Sequence, residues 1–270
     1  MSRLAPVFKE LKRAGRSALV TYITAGDPNG SVSVPLMHAL TKAGADVLEL
    51  GVPFSDPTAD GPVIQQACER ALAAGTTLGK VLAMVKEFRR ADSHTPLVLM
   101  GYLNPMEAFG IEAFAGAAAD AGVDGVITVD MPPEEAEPLA GLLKAQGVDP
   151  VFLLAPTTSG ARLDRICEIA SGFVYYVALK GVTGAASLDV QDVQQRLQVI
   201  RRATHLPVGV GFGVRDAQSA AKLAQFADAV VVGSAIVKRI GEHQSAPREL
   251  LTQVSGFVHG LRQAMDAARA

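Results

Sequence analysis

Eight short apolar runs recur along this chain, at Ala18 to Ile23, Asp46 to Leu50, Leu97 to Gly101, Gly125 to Val129, Val151 to Leu154, Phe173 to Ala178, Val208 to Gly211 and Ala229 to Gly233. Runs this short, rich in Val, Ile and Leu and bounded by turn residues, read as buried strands. Between them apolar residues return at helical spacing: Val34, Met37 and Leu40; Leu78, Leu82 and Val85; Ala136, Leu139 and Leu143; Leu163, Ile166 and Ile169; Val190, Val193, Leu197 and Ile200. Each strand followed by its helix implies a parallel sheet of an α/β protein. The turn into a strand even repeats, as Ala43-Gly44-Ala45-Asp46 and Ala121-Gly122-Val123-Asp124, with Gly placed to end the helix in a left-handed cap.

Eight such units in 270 residues match a closed (β/α)8 TIM barrel, forming one domain over 1–270. An open doubly wound sheet would usually show a glycine fingerprint after the first strand, whereas Thr24-Ala25-Gly26-Asp27-Pro28 has one Gly and a Pro. Phe8 and Leu11 with Glu10 predict an extra amphipathic helix at the N-terminus. The last helix, from about Pro247 to Met265, carries Leu250, Leu251, Val254, Val258, Leu261 and Met265 on one face and is expected to close against the first units.

In such a barrel the chemistry sits at the C-terminal ends of the strands. The second strand ends in Glu49, and the loop after it carries Asp56 and Asp60 among Pro53, Pro57, Gly61 and Pro62. Asp60 has a bland reading as a cap for the helix that Pro62 opens, and Asp56 as the holder of a turn. Glu49 has none, because a carboxylate on an apolar strand is costly to bury unless paired or used. Farther along, Gly181-Val182-Thr183-Gly184, Gly211-Phe212-Gly213 and Gly233-Ser234 follow strands six, seven and eight. Any one of these glycines could simply make a tight turn. Together, with a short helix after strand eight, they predict a phosphate cradle of backbone N–H groups, to which Ser234 adds a hydroxyl.

Composition removes several classes. The net charge of −2 offers no extended basic surface, which discounts nucleic acid and anionic membranes. Two cysteines and no Cys/His spacing argue against a disulfide framework or structural zinc and for a reducing, cytoplasmic setting. No apolar run approaches the roughly 20 residues that span a bilayer.

These residues resemble the α subunit family of tryptophan synthase. The resemblance rests on Tyr22 to Pro28, Leu48-Glu-Leu-Gly-Val-Pro-Phe-Ser-Asp-Pro57, Ala59-Asp-Gly-Pro62, Met100-Gly-Tyr-Leu-Asn-Pro105, Asp130-Met-Pro-Pro133, Gly181 to Gly184 and Gly211 to Gly213, and covers essentially the whole chain. It implies cleavage of indole-3-glycerol phosphate to indole and glyceraldehyde 3-phosphate, in the last steps of tryptophan biosynthesis. Glu49 and Asp60 match the family's catalytic pair. Gly184, Gly213, Gly233 and Ser234 match its phosphate site, with Thr183 on a closing loop, and Tyr22, Met100, Tyr102, Tyr175 and Phe212 its indole pocket. Met100 and Phe212 could equally be core residues. Asp56, Asn104, Pro105 and Met106 fall where the family meets its β subunit, in an expected α2β2 heterotetramer through which indole is channelled. Pyridoxal phosphate would belong to that partner, with no cofactor or metal in this chain.

Two rivals stay open. Lys180 at the end of strand six is placed like the nucleophile of a Schiff-base barrel aldolase. Alternatively the chain is a non-catalytic docking subunit that activates a partner.

Overall fold

The computed structural model describes residues 2–178, 190–211 and 213–269. Lys180, the segment Gly181-Val182-Thr183-Gly184 and Phe212, each named in the sequence reading, lie outside them. In chain order the elements are α1 (Leu4–Arg13), β1 (Ala18–Thr24), α2 (Gly30–Lys42), β2 (Val47–Gly51), α3 (Pro62–Ala73), α4 (Leu78–Arg89), β3 (Leu97–Gly101), α5 (Leu103–Phe109), α6 (Ile111–Ala121), β4 (Gly125–Thr128), α7 (Glu137–Ala145), β5 (Asp149–Leu154), α8 (Gly160–Ile169), β6 (Val174–Val177), α9 (Val190–Ala203), β7 (Val208–Gly211), α10 (Ala217–Ala224), β8 (Ala229–Val232), α11 (Ser234–Glu242) and α12 (Pro247–Ala267). The eight strands pair in parallel, each with its sequence neighbours, and β1 pairs with β8 to close the barrel. All eight expected strands are present, with ends shifted by a residue or two.

The two faces of the strands pack differently. Leu19, Leu48, Leu99, Val126 and Val232 point outward into the layer between strands and helices. Val20, Val47, Val98, Ile127, Val151 and Val231 point inward, and Leu4, Phe8 and Leu11 of α1 close the barrel floor beneath them. The predicted N-terminal helix is therefore part of the core. Helix α12 packs on α2, α10 and α11, joining the end of the chain to its beginning as expected. The alternation departs from one helix per strand after β2, where α3 and α4 follow, after β8, where α11 and α12 follow, and after β3, where Gly110 at φ +91° breaks α5 from α6.

At the N-terminal rim an aspartate stands before each of β2, β4 and β8 and takes an N–H from the first two residues of the preceding strand. Asp46 accepts from Leu19 N at 2.8 Å, Asp124 from Leu97 N at 2.9 Å and Asp228 from Val208 N at 2.9 Å. Each is bridged by an arginine: Arg262 on Asp46 at 3.0 Å, Arg89 on Asp124 at 2.7 Å and Arg201 on Asp228 at 3.2 Å. The repeated Ala-Gly-x-Asp turns now have a second reason. A Cβ at Gly44 would lie 2.6 Å from Arg262 Cγ, and one at Gly122 2.9 Å from Arg89 Cγ, so each glycine makes room for the arginine that neutralises the aspartate two residues on.

Candidate active site

Glu49 sits inside the barrel in register with Tyr22 of β1 and Val98 of β3, and is 1 % exposed. Its Oε2 has no hydrogen-bond partner. Burial first, and the nearby Asp60 second, push its carboxyl up to about 8, so the group holds its proton at neutral pH.

Asp60 is held by the turn residues that keep 52–61 irregular, with Asp60 N donating to Pro57 O at 3.0 Å before Pro62 starts α3. The cap of α3 is Gly61, with no side-chain bond, so Asp60 is not spent as a helix cap. Instead it accepts a hydrogen bond from Tyr102 Oη at 2.8 Å, and the same hydroxyl accepts from Ala59 N at 3.0 Å. Desolvation raises the Asp60 carboxyl and the Tyr102 bond pulls it back. Among the described residues no Lys or Arg bridges either carboxylate.

Glu49 and Asp60 line a cavity of about 280 Å³ with Tyr22, Met100, Tyr175, Gly213, Gly233 and Ser234. Gly233 and Ser234 begin α11; Ile236 N already donates to Gly233 O at 2.8 Å, and the N–H groups before it have no partner within the helix. A second cavity of about 510 Å³ shares Asp60, Met100 and Tyr175 and runs over the ends of β4, β5 and β6, past Thr128, Val129, Met131, Leu153 and Val177. The two cavities thus meet at Asp60, Met100 and Tyr175, with Glu49 in the smaller one.

Room for the tyrosines comes from glycines on neighbouring strands. A Cβ at Gly51 would collide with Tyr22 Oη, and one at Gly211 with Tyr175 Oη. Desolvation, with Glu49 and Asp60 nearby, raises both phenols well above 10, which keeps them neutral.

The structure thus brings Glu49, Asp60, Tyr22, Met100, Tyr175, Gly213, Gly233 and Ser234 to one opening. Tyr102 is absent from the lining of both cavities and instead stands behind Asp60. Asp56 is exposed and accepts from the Ser55 hydroxyl at 2.6 Å, so it holds a turn away from the acids. Asn104, Pro105 and Met106 lie on α5; Asn104 is exposed, whereas Met106 is 1 % exposed and packed in the core. Arg215, Thr128, Leu153 and Val177 line the cavities and were not singled out in the sequence. All but Arg215 sit at or near strand C-terminal ends, where the barrel rule alone could have found them. Among the described residues no group of three or more His, Cys, Asp or Glu is placed to hold a metal, and no helix is long and apolar enough to cross a membrane.

Residues 8–266 match the family model described as tryptophan synthase alpha chain. The tryptophan synthase alpha chain of Nitrosococcus oceani is 63 % identical over 267 residues, covering 99 % of this chain and 98 % of the relative. That of Thioalkalivibrio sulfidiphilus is 62 % identical over 266 residues, covering 98 % and 100 %. The crystal structure of tryptophan synthase subunit alpha from Legionella pneumophila superposes with a TM-score of 0.92 at 43 % identity, covering 99 % of both chains. A chain in a structure of Mycobacterium tuberculosis tryptophan synthase does so at 0.87 and 38 %, covering 98 % of each. With its closed barrel and its pair of acids at the mouth, the chain belongs to the tryptophan synthase alpha chain family, the lyases that cleave indole-3-glycerol phosphate.

Proposed function

We propose that this chain, acting as one barrel domain, performs the retro-aldol cleavage with Glu49 as proton shuttle and Asp60 as the anion that faces the indole N–H. The observation that carries this reading is the orphaned, protonated Glu49 in the same cavity as Gly213 and Ser234. The phosphate lies against the first turn of α11, and the ring lies beside Met100 and Tyr175, which line both cavities. Glu49 gives its proton to indole C3, which turns the ring into an indoleninium cation, and the Asp60 carboxylate stabilises that charge through N–H. The resulting Glu49 carboxylate then takes the proton of the adjacent side-chain hydroxyl. As the C–O double bond of the aldehyde forms, the electrons of the breaking C–C bond return to the ring. One proton is given and one recovered, leaving indole and glyceraldehyde 3-phosphate.

The protein works in the cytoplasm with a β subunit in an α2β2 heterotetramer, and pyridoxal phosphate resides in that partner. Exposed Asp56, on the loop after β2, and exposed Asn104, on α5, are the contacts we assign to it, together with Pro105; the buried Met106 supports that surface from below.

The test is indole release from indole-3-glycerol phosphate, with and without added β subunit. Glu49→Gln and Asp60→Asn are each expected to lower turnover roughly 10²- to 10⁴-fold while keeping the fold. Ordinary turnover by Glu49→Gln overturns the assignment, and no turnover by the parent chain under either condition favours a docking subunit.

A further inference from the structure

The smaller cavity is lined by two carboxylates and, among the described residues, by a single cation, Arg215. Its backbone is pinned. Gly213 at φ +90° turns the chain after β7, Val214 is buried, and Arg215 N donates to Ser219 Oγ at 3.1 Å. The next residue, Asp216, commits its carboxylate to the cap of α10, accepting from Ser219 N at 2.8 Å and Ser219 Oγ at 2.9 Å. Among the described residues no carboxylate bridges Arg215. The larger cavity differs, because its lining cation, Arg162, is already paired with Glu134 at 2.8 Å.

Backbone N–H groups and the Ser234 hydroxyl are neutral donors. They orient a phosphate, but the Asp60 carboxylate across the same cavity makes its second negative charge costly. A guanidinium stays charged at every working pH and is shaped to meet phosphate oxygens. We propose that Arg215 is a specificity-determining residue that selects the phosphate dianion of the substrate. This rests on placing the phosphate at Gly213 and Ser234 as above.

The experiment is steady-state kinetics of the full chain and of Arg215→Gln and Arg215→Lys. Substrates are indole-3-glycerol phosphate and its analogue without the phosphate, with inorganic phosphate as competitive inhibitor. Arg215→Gln is expected to raise KM for the phosphorylated substrate, and Ki for phosphate, about tenfold, with Lys recovering part of the loss. Because a phosphate ester loses its second proton near about pH 6, the penalty should shrink as pH falls from about 8 to about 5.5. Turnover of the unphosphorylated analogue should fall far less. An unchanged KM and Ki, an equal loss on both substrates, or a penalty flat in pH each overturns the proposal. If the parent chain cleaves its substrate and is inhibited by phosphate while Arg215→Gln behaves identically, only the role of Arg215 falls. If phosphate fails to inhibit the parent, the placement of the phosphate falls with it.

Discussion

The two ends of the barrel treat the same chemical group in opposite ways. At the N-terminal rim Asp46, Asp124 and Asp228 each meet a strand N–H and an arginine. Asp124, fully buried, holds Arg3 at 2.9 Å as well as Arg89. At the C-terminal mouth Glu49 is just as deeply buried, yet one of its oxygens has no partner. A buried carboxylate can be satisfied or kept reactive, and this chain does one at each end. The satisfied acids tie strands together in a defined register, and the unsatisfied one stores a proton.

Removing Glu49's acidity should separate the two ends most sharply. Glu49→Gln is expected to cost roughly 10²- to 10⁴-fold in cleavage while urea unfolding shows a chain at least as stable as the parent, since an orphaned acid is replaced by a neutral amide. A loss of both together would show that Glu49 is structural. Asp124→Ala should do the reverse, leaving Arg89, Arg3 and Leu97 N without their acceptor and lowering unfolding free energy by about 3–5 kcal/mol. Its folded fraction should keep ordinary turnover per molecule, and a specific loss of turnover would break the division of labour.

The pH dependence of stability sharpens the comparison further. Glu49 rises from 4.5 to about 8 on folding, so between those values the folded chain holds the extra proton. Its contribution is fully present below about pH 4.5 and is lost as pH climbs through about 8, at up to about 1.4 kcal/mol per pH unit. Denaturation midpoints of the parent and Glu49→Gln should diverge across that window, and parallel curves would refute the raised pKa. The smallest effect is expected from Tyr102→Phe, which removes the donor to Asp60 at a cost of about 0.5–1.5 kcal/mol. Without that donor Asp60 binds its proton more readily, so the acid limb of the cleavage profile should move to higher pH. An unmoved limb would mean that Tyr102 packs without tuning Asp60.

Much of this was legible in the sequence because strands and their ends are local. Val47 to Gly51 announces a buried strand, and Glu49 stands out there as the residue that strand cannot explain. The rim pairs were not legible, since Arg262 and Asp46 are 216 residues apart and meet only when α12 folds back over α2. The hydrogen bond from Tyr102 to Asp60 was not legible for a related reason. An aromatic residue after β3 suggests a ring pocket, and its bond to Asp60 depends on how the proline-rich loop after β2 settles against it. Arg215 escaped notice because a cation near a helix start reads as ordinary surface until the turn at Gly213 brings it to the cavity.

Helix α1 lies far from any substrate, yet Leu4, Phe8 and Leu11 stand under the column of inward side chains that ends at Met100 and Tyr175 beside Glu49. Insulation at the base thereby tunes acidity at the mouth. A change that uncorks the floor would let water rise through the cylinder and reach the chemistry through the dielectric, without touching a single residue that the substrate meets.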